Sequence, residues 1–395
     1  MNASEQPEPR PAPARRVAAG SFETAYGESL ARALDLSTWA PLHRLAEIYA
    51  RMEDEIARAV EAERGLRGAT RAEVLPRLAT RPGAPAGAGL RRATPAQVHA
   101  VHAGVLFTGQ VEACDGASLA HETLPLTIAQ IGVCLVSYQG DLGTWAQRLF
   151  RRDLRLSGQA PVEETLAVLG ARQQRAGLDR AAQRDQLATL GRRGIQSYAE
   201  RAALVEQATA PWRMGHGQPA ALEILNGSGS MEFLSRGLDL LERLICGHKR
   251  FVFVPSSTPD RHLLTIGDAL APLEFAIVDT MRERWQQIVD GGYYDAPYRP
   301  RVQRFIDEVG PQVVVGVYRA AAQAPARLFY AHVEHAELAG LIALADGALQ
   351  TLSGFPLLLD VAGLMCRSAF GAATLQSPVA AAYAMAGEPW RYARA

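Results

Sequence analysis

Apolar residues follow helical spacing near the start of the chain and form short runs further on. From Ser37 to Gly65 the apolar positions recur with a period near 3.6, which predicts one long amphipathic helix. Apolar runs at Val105–Cys114, Leu126–Tyr138 and Thr144–Leu154 then predict three consecutive strands, paired as an antiparallel meander. The middle run is almost continuously apolar, so we expect both faces of that strand to be covered.

A second series of strands and helices follows a helical stretch. Residues 161–208 have apolar positions at helical spacing and predict a helical insertion at about 160–210. A strand is predicted at Leu222–Ser230, then a helix, then a strand at Phe251–Ser257. Further strands and two terminal helices are predicted at Phe275–Asp279, Val313–Ala320, Leu328–Glu334, Ala336–Leu349 and Leu357–Phe370. This alternation is typical of an α/β fold.

Low-complexity segments set the predicted domain boundaries. Residues 1–20 are rich in proline and charge and predict a disordered tail. An N-terminal helical segment is expected over 21–80, and the Gly- and Pro-rich stretch Arg81–Pro95 predicts a linker over 81–95. One α/β domain should then occupy 96–395.

Composition narrows the kind of protein further. Lysine plus arginine and aspartate plus glutamate both number 41, so any contact with nucleic acid must come from a local patch. The four cysteines are widely separated and form no CxxC pair, which is typical of buried thiols in a reducing compartment. No apolar run approaches the roughly 20 residues of a membrane helix. We expect a cytoplasmic protein with no membrane partner.

Asp115 is the most informative single residue. It lies in the segment Val111–Ser118 (VEACDGAS) and is predicted to end the first core strand. Two-metal nucleases use such strand-end carboxylates to hold Mg²⁺ or Mn²⁺, which stabilise the oxygens around the reacting phosphorus. The alternative is a plain turn, because Asp-Gly is among the commonest turn dipeptides.

The order of these features resembles the NurA nuclease family over roughly residues 100–395. An Asp-Gly after the first strand, two more strands, a helix with a glutamate, and a second strand before a Gly-Ser pair all occur here. The resemblance implies an RNase H-like mixed sheet flanked by helices, with Mn²⁺ or Mg²⁺ held by Asp115, a helix glutamate and a second strand-end residue. Glu200 matches the helix position, with Glu206 as the fallback, and Asn226 in ILNGS stands where the second aspartate is expected. Each glutamate has the alternative of being an ordinary solvated helix charge.

Three positions depart from the family pattern. An amide at Asn226 can ligate a hard cation but lacks the negative charge that concentrates it. Near the C-terminus the family resembles GYP followed by an Ala-His pair, whereas this chain has Phe355 at the tyrosine position and Gly363 at the histidine position. Asp360, one helical turn before Gly363, is a possible accessory carboxylate.

Basic residues near these segments are candidates for DNA contact. Three arginines lie close together in the third strand of the meander, where they would fall on both faces. A fourth arginine and a histidine lie in a Gly- and Pro-rich stretch that we expect to be a loop, and a fifth arginine follows Ser256. The candidates are Arg148, Arg151, Arg152, Arg213, His216 and Arg261.

The resemblance implies a metal-dependent nuclease that acts on DNA ends or single strands in repair or phage defence. It also implies a homodimer that docks on a HerA-type hexameric translocase. The altered positions support an alternative, in which a catalytically degenerate NurA-like subunit binds DNA or docks without cleaving. A third interpretation is an unrelated α/β protein whose DG and NGS turns imitate the family.

Overall fold

A computed structural model provides the structure of the chain. It describes residues 20–39, 44–123, 126–140, 144–153, 190–257, 260–291, 294 and 297–390. The predicted tail, apart from Gly20, and most of the predicted insertion lie outside these residues. The chain divides into two compact units, Met1–Gly65 and Leu66–Ala395.

The N-terminal unit is helical. It contains α1 (Ser21–Tyr26), α2 (Leu30–Leu34) and most of α3 (Leu45–Ala69). The long helix begins later than its predicted start at Ser37, which instead lies in a short 3₁₀ turn, where its backbone amide donates to the carboxylate of Asp35. Helix boundaries of this kind depend on local caps, which periodicity alone does not locate.

The second unit is built on one mixed sheet, which has nine strands within the described residues. They are β1 (Gly89–Arg92), β2 (Val111–Glu122), β3 (Leu126–Val136), β4 (Thr144–Asp153), β5 (Trp212–His216), β6 (Phe251–Val254), β7 (Glu274–Thr280), β8 (Val313–Arg319) and β9 (Arg327–His332). Their order in the sheet is β1-β7-β8-β9-β6-β5-β2-β3-β4.

Five of these strands form the predicted RNase H-like core. β2, β3 and β4 make the antiparallel meander, and β5 pairs parallel with β2 and with β6. The spatial order of these five strands is β4-β3-β2-β5-β6, and β2, β5 and β6 are parallel to one another. The predicted mixed α/β fold is confirmed.

Helices cover both faces of the sheet. They are α4 (Pro95–Val101), α5 (Ile195–Glu206), α6 (Leu222–Leu225), α7 (Met231–Glu242), α8 (Arg261–Asp268), α9 (Arg282–Asp290), α10 (Arg299–Val309), α11 (Ala336–Ala348), α12 (Leu357–Phe370) and α13 (Ala372–Met385). α5 and α7–α10 share one buried cluster with Phe251 and Phe253 of β6, whereas α4, α11 and α12 pack with Val252 and Val254 on the other face. The alternation along β6 is the two-residue period of a strand covered on both sides.

Two sequence predictions are wrong in this part of the chain. The segment Leu222–Ser230 forms the short helix α6 and a 3₁₀ turn, not a strand. The strand lies earlier, at β5, in the stretch predicted to be a loop. A Cβ atom on Gly215 would lie 2.2 Å from the ring of Phe253, so this glycine permits close packing in a strand although it suggests a loop in the sequence.

The predicted linker over 81–95 contains β1. This short strand pairs antiparallel with β7 at the edge of the sheet, and Arg81 forms an ion pair of 2.6 Å with Asp279. Gly83, Gly87 and Gly89 all have positive φ angles, which places turn residues directly beside the strand. Because these turn glycines give the segment the composition of a linker, the sequence did not reveal the strand β1.

One helical stretch among the described residues, Leu357–Met385, is long and apolar enough to cross a membrane by length and composition. Its first part, α12, packs on β2 and β3. Leu358, Leu359, Ala362 and Cys366 of this helix are buried there. A helix that packs on a sheet in this way passes the same test of length and composition.

Candidate functional site

Asp115 lies inside β2, not at its end as the sequence predicted. What ends beside it is the parallel pairing with β5, whose last paired residues are Cys114 and Gly215. Beyond this point β2 continues in its antiparallel pairing with β3. The Asp115 side chain, 14% exposed, therefore lies where a parallel neighbour leaves the sheet, which is the kind of position where ligands bind in open α/β sheets.

His216 is the last residue of β5 and contacts Asp115. The distance from its Nδ1 to Asp115 Oδ1 is 3.5 Å. The Asp115 carboxylate raises the pKa of His216, whereas burial acts in the opposite direction. His216 therefore lies at a strand end beside Asp115, whereas Asn226, where the resemblance implies the second aspartate, ends the short helix α6. The prediction of a loop at His216 is corrected to a strand end.

Glu200 reaches the same site from α5. Its carboxylate is buried, and burial is the main cause of its raised pKa, with a further contribution from the nearby charge of Asp115. A Cβ atom on Gly116 would lie 2.5 Å from Glu200 Oε1. Gly116 is therefore the residue that permits α5 to approach β2 so closely, and the predicted association of Asp115 with Glu200 is present.

Both oxygens of Glu200 already have partners. Arg201 Nη1 donates to Oε2 at 2.7 Å, and Gln196 Nε2 donates to Oε1 at 2.9 Å. The Arg201 side chain is 3% exposed. The sequence did not predict this ion pair, because adjacent residues on a helix do not normally face each other.

Helix α12 covers Asp115 from the other side. A Cβ atom on Gly363 would lie 2.5 Å from Asp115 Oδ2 and 3.0 Å from Arg367 Nη1. Phe355, just before α12, places its ring edge-on to His216 with the ring centroids 5.9 Å apart. The two C-terminal departures from the family pattern thus lie directly against the site. Arg367 was missed, although its spacing of four residues from Gly363 puts both on one helix face.

Asp115, His216, Phe355 and Arg367 line one cavity of about 390 Å³, and Glu200 and Arg201 lie outside its lining. Asp360, the predicted accessory carboxylate, also lines it, and its Oδ2 accepts a hydrogen bond from Gln350 Nε2 at 2.5 Å. Arg327 lines it as well, but its guanidinium donates to the backbone oxygens of Ser353 and Ser256. The cavity therefore combines two carboxylates with two guanidinium groups and an imidazole.

Two predicted site residues lie elsewhere. Asn226 ends α6, and its side-chain oxygen accepts the amide of Ser228 at 2.8 Å. Glu206 is exposed at the end of α5 and pairs with Arg243 at 3.0 Å. Neither residue lines the cavity at Asp115. The segment before Asn226 was predicted to be a strand that would reach Asp115, but it forms the helix α6. Glu206 is six residues from Glu200, so the two side chains face different directions on α5.

The predicted DNA contacts are scattered. Arg148 is exposed on β4, which is an edge strand, and Arg261 is exposed at the start of α8. Arg151 and Arg152 also belong to β4, but their side chains lie outside the described part of the structure. Arg213 is partly buried and donates to the backbone oxygen of Ala208. Contact of these residues with DNA stays a prediction.

The residues present do not fit a divalent metal ion. Within the described residues, no group of three or more histidine, cysteine, aspartate or glutamate side chains is arranged to hold one. Carboxylate oxygens hold Mg²⁺ and Mn²⁺ best when their negative charge is not already paired with another cation. Here Glu200 is paired with Arg201, and Asp115 is paired with His216.

Comparison with solved structures agrees with the resemblance noted in the sequence. The structure is similar to NurA nucleases. The NurA nuclease from Sulfolobus solfataricus matches over 89% of this chain and 100% of its own, with 8% identity and a TM-score of 0.46. A NurA structure with manganese matches over 80% of this chain and 95% of its own, with 8% identity and a TM-score of 0.40. A NurA structure bound to dAMP and manganese matches over 68% of this chain and 88% of its own, with 8% identity and a TM-score of 0.32. No protein-family model and no curated protein matches the sequence.

Proposed function

We propose that this protein is a NurA-like subunit that binds DNA and has lost metal-dependent cleavage. The observation that carries the proposal is the state of Glu200, whose two oxygens are engaged by Arg201 and Gln196. Phosphodiester cleavage by metal ions needs carboxylates that are free to hold them. A buried carboxylate whose two oxygens accept from a guanidinium and an amide does not meet that need.

The end of β5 supports the same conclusion. The residue beside Asp115 at this point is His216, an imidazole and not a carboxylate. An imidazole brings no negative charge to a cavity that Arg367 and Arg327 also line. The charge balance of the cavity thus favours anionic groups such as phosphate over a divalent cation.

The resemblance also supplies the proposed setting. A homodimer would dock on a HerA-type hexameric translocase in the cytoplasm and act in repair or phage defence. The zero net charge agrees with a subunit that receives DNA from a partner, because it generates no long-range field that would capture DNA unaided.

Nuclease activity is a second candidate with one observation in its favour. Asp115, Glu200 and His216 come from three adjacent elements and interact electrostatically with one another. Two of these side chains are carboxylates, which are ligands that suit manganese. Cleavage would require that Glu200 be released from Arg201 first.

A cleavage and binding assay with one DNA separates the two candidates. Labelled single-stranded DNA is incubated with the purified protein in Mn²⁺ or in EDTA, with and without a HerA-type translocase. We expect binding of equal strength in both conditions and intact DNA in both. Cleavage that disappears in Asp115→Ala would establish the nuclease instead, and absence of DNA binding in every condition would refute the proposal.

A further inference from the structure

We infer, on the basis of the function proposed above, that Arg201 takes the place of the metal ion in this site. Its guanidinium supplies the positive charge that the Glu200 carboxylate would otherwise receive from Mn²⁺ or Mg²⁺. The protein therefore contains a built-in cation, and its site does not bind a divalent metal. The contacts of Arg201 carry this inference.

Arg201 is fixed in position by more than Glu200. Its Nε donates to the backbone oxygen of Pro219 at 3.0 Å, its Nη2 to that of Gln218 at 2.5 Å, and its Nη1 to that of Ser197 at 3.1 Å. The guanidinium also lies over the ring of Phe253, 5.4 Å from its centroid. To free Glu200 for a metal ion, the side chain would have to give up all of these contacts at once.

The same contacts connect Arg201 to the end of β5, which carries His216. Gln218 and Pro219 belong to the turn that follows His216 at the end of β5. Arg201 thus links α5, which carries Glu200, to the strand end that carries His216. The buried guanidinium of Arg201 neutralises the Glu200 carboxylate on α5 and also binds the backbone after β5. It therefore supplies both the charge and the connection between the two elements.

We expect that two substitutions together create metal binding. His216→Asp places a carboxylate beside Asp115, and Arg201→Met removes the cation while keeping an apolar side chain against Phe253. In the double variant three carboxylates lie close together and Glu200 has lost its guanidinium partner. Mn²⁺ should then bind and compensate their repulsion, and it should also stabilise the fold, because a ligand that binds only the native state raises its stability.

Mn²⁺ binding is measured without DNA, by the loss of the free-ion signal in electron paramagnetic resonance. The wild-type protein should show no saturable binding. The double variant should bind Mn²⁺ more tightly than His216→Asp alone, on the order of 10-fold or more, because it lacks a positive charge that would lie close to the bound ion. Its melting temperature should rise with Mn²⁺, and that of the wild type should not. Arg236→Met, which removes an exposed arginine that pairs with Glu232 on α7, is the matched control and should leave Mn²⁺ binding unchanged.

Three outcomes would overturn the inference. One is saturable Mn²⁺ binding by the wild type that Asp115→Ala abolishes. Another is equal affinity of His216→Asp and the double variant, which would show that Arg201 does not block the site. The third is a double variant that remains folded by circular dichroism and binds no Mn²⁺. If the double variant does not fold, the wild-type titration and the His216→Asp titration still decide, and DNA binding in EDTA tests the proposed function independently.

Discussion

Replacing Arg201 with methionine should destabilise the protein strongly. The change removes the partner of a buried carboxylate and leaves Glu200 charged in a site that water hardly reaches. Breaking a buried ion pair by removing one member costs about 3–5 kcal/mol. The backbone oxygens of Ser197, Gln218 and Pro219 also lose a donor, and those that water cannot reach add to the cost.

The double variant Glu200→Gln with Arg201→Met separates charge from packing. Both members of the pair are then neutral, so the loss should fall by roughly 2 kcal/mol or more relative to Arg201→Met alone. Urea-induced unfolding, followed by circular dichroism, gives the free energy of unfolding of each variant. If the double variant is as unstable as Arg201→Met, the backbone contacts of the guanidinium dominate and the charge argument fails.

The loss in Arg201→Met should also depend on pH with a defined sign. The folded-state pKa of Glu200 is already raised by burial, so the folded protein binds this proton more readily than the unfolded chain does. Removing Arg201 raises that pKa further. The contribution of Glu200 to stability is therefore most favourable at low pH and is lost as the pH rises through the folded pKa. The destabilisation should be smaller near pH 5 than near pH 8, and a loss that is the same at both values would contradict the reasoning.

Three further predictions follow from other parts of the structure. Gly363→Ala places a Cβ atom 2.5 Å from Asp115 Oδ2 and should lower the melting temperature, whereas Gly68→Ala, in a helix with open space around it, should raise stability by about 0.5–1 kcal/mol. Asp346 is fully buried, and burial raises its pKa to about 6. The free energy of unfolding of the wild type should therefore fall between pH 4 and pH 7, and Asp346→Asn should remove that part of the fall. If urea titrations show that the free energy of unfolding falls equally with pH in both proteins, the reasoning is contradicted. Arg148→Gln should weaken DNA binding and reduce the slope of log affinity against log salt by about 1, measured by fluorescence anisotropy, if this exposed residue contacts a phosphate.

Much of the fold could be predicted because its strands are long or strongly apolar. The meander of β2, β3 and β4, and the strands β6 to β9, all follow apolar runs that are visible in the sequence. β5 could not be predicted, since it has five residues and includes Gly215, whose missing side chain is what accommodates Phe253. The same short strand determines the site. Misplacing it put the expected strand end at Asn226, whereas the strand end beside Asp115 is His216.

Single side chains of the site could be predicted from the sequence, but the contacts between them could not. Asp115 and Glu200 follow from their places in β2 and α5, and the two are indeed associated. The partner of each carboxylate could not be predicted, because Arg201 is adjacent to Glu200 on the helix and His216 is about a hundred residues from Asp115 in the chain. Such pairings arise from the sheet topology, which joins β2 to β5, and from the packing of α5 on both.

Three side chains that carry or can gain positive charge lie around the carboxylates of the site. His216 contacts Asp115, Arg201 pairs with Glu200, and Arg367 of α12 lines the cavity at Asp115. Together they supply positive charge that balances the carboxylates without an ion. For this reason His216→Asp alone should give only weak Mn²⁺ binding, and the affinity should rise when Arg201 is also removed, whereas a site that lacked only one ligand would recover fully with one substitution.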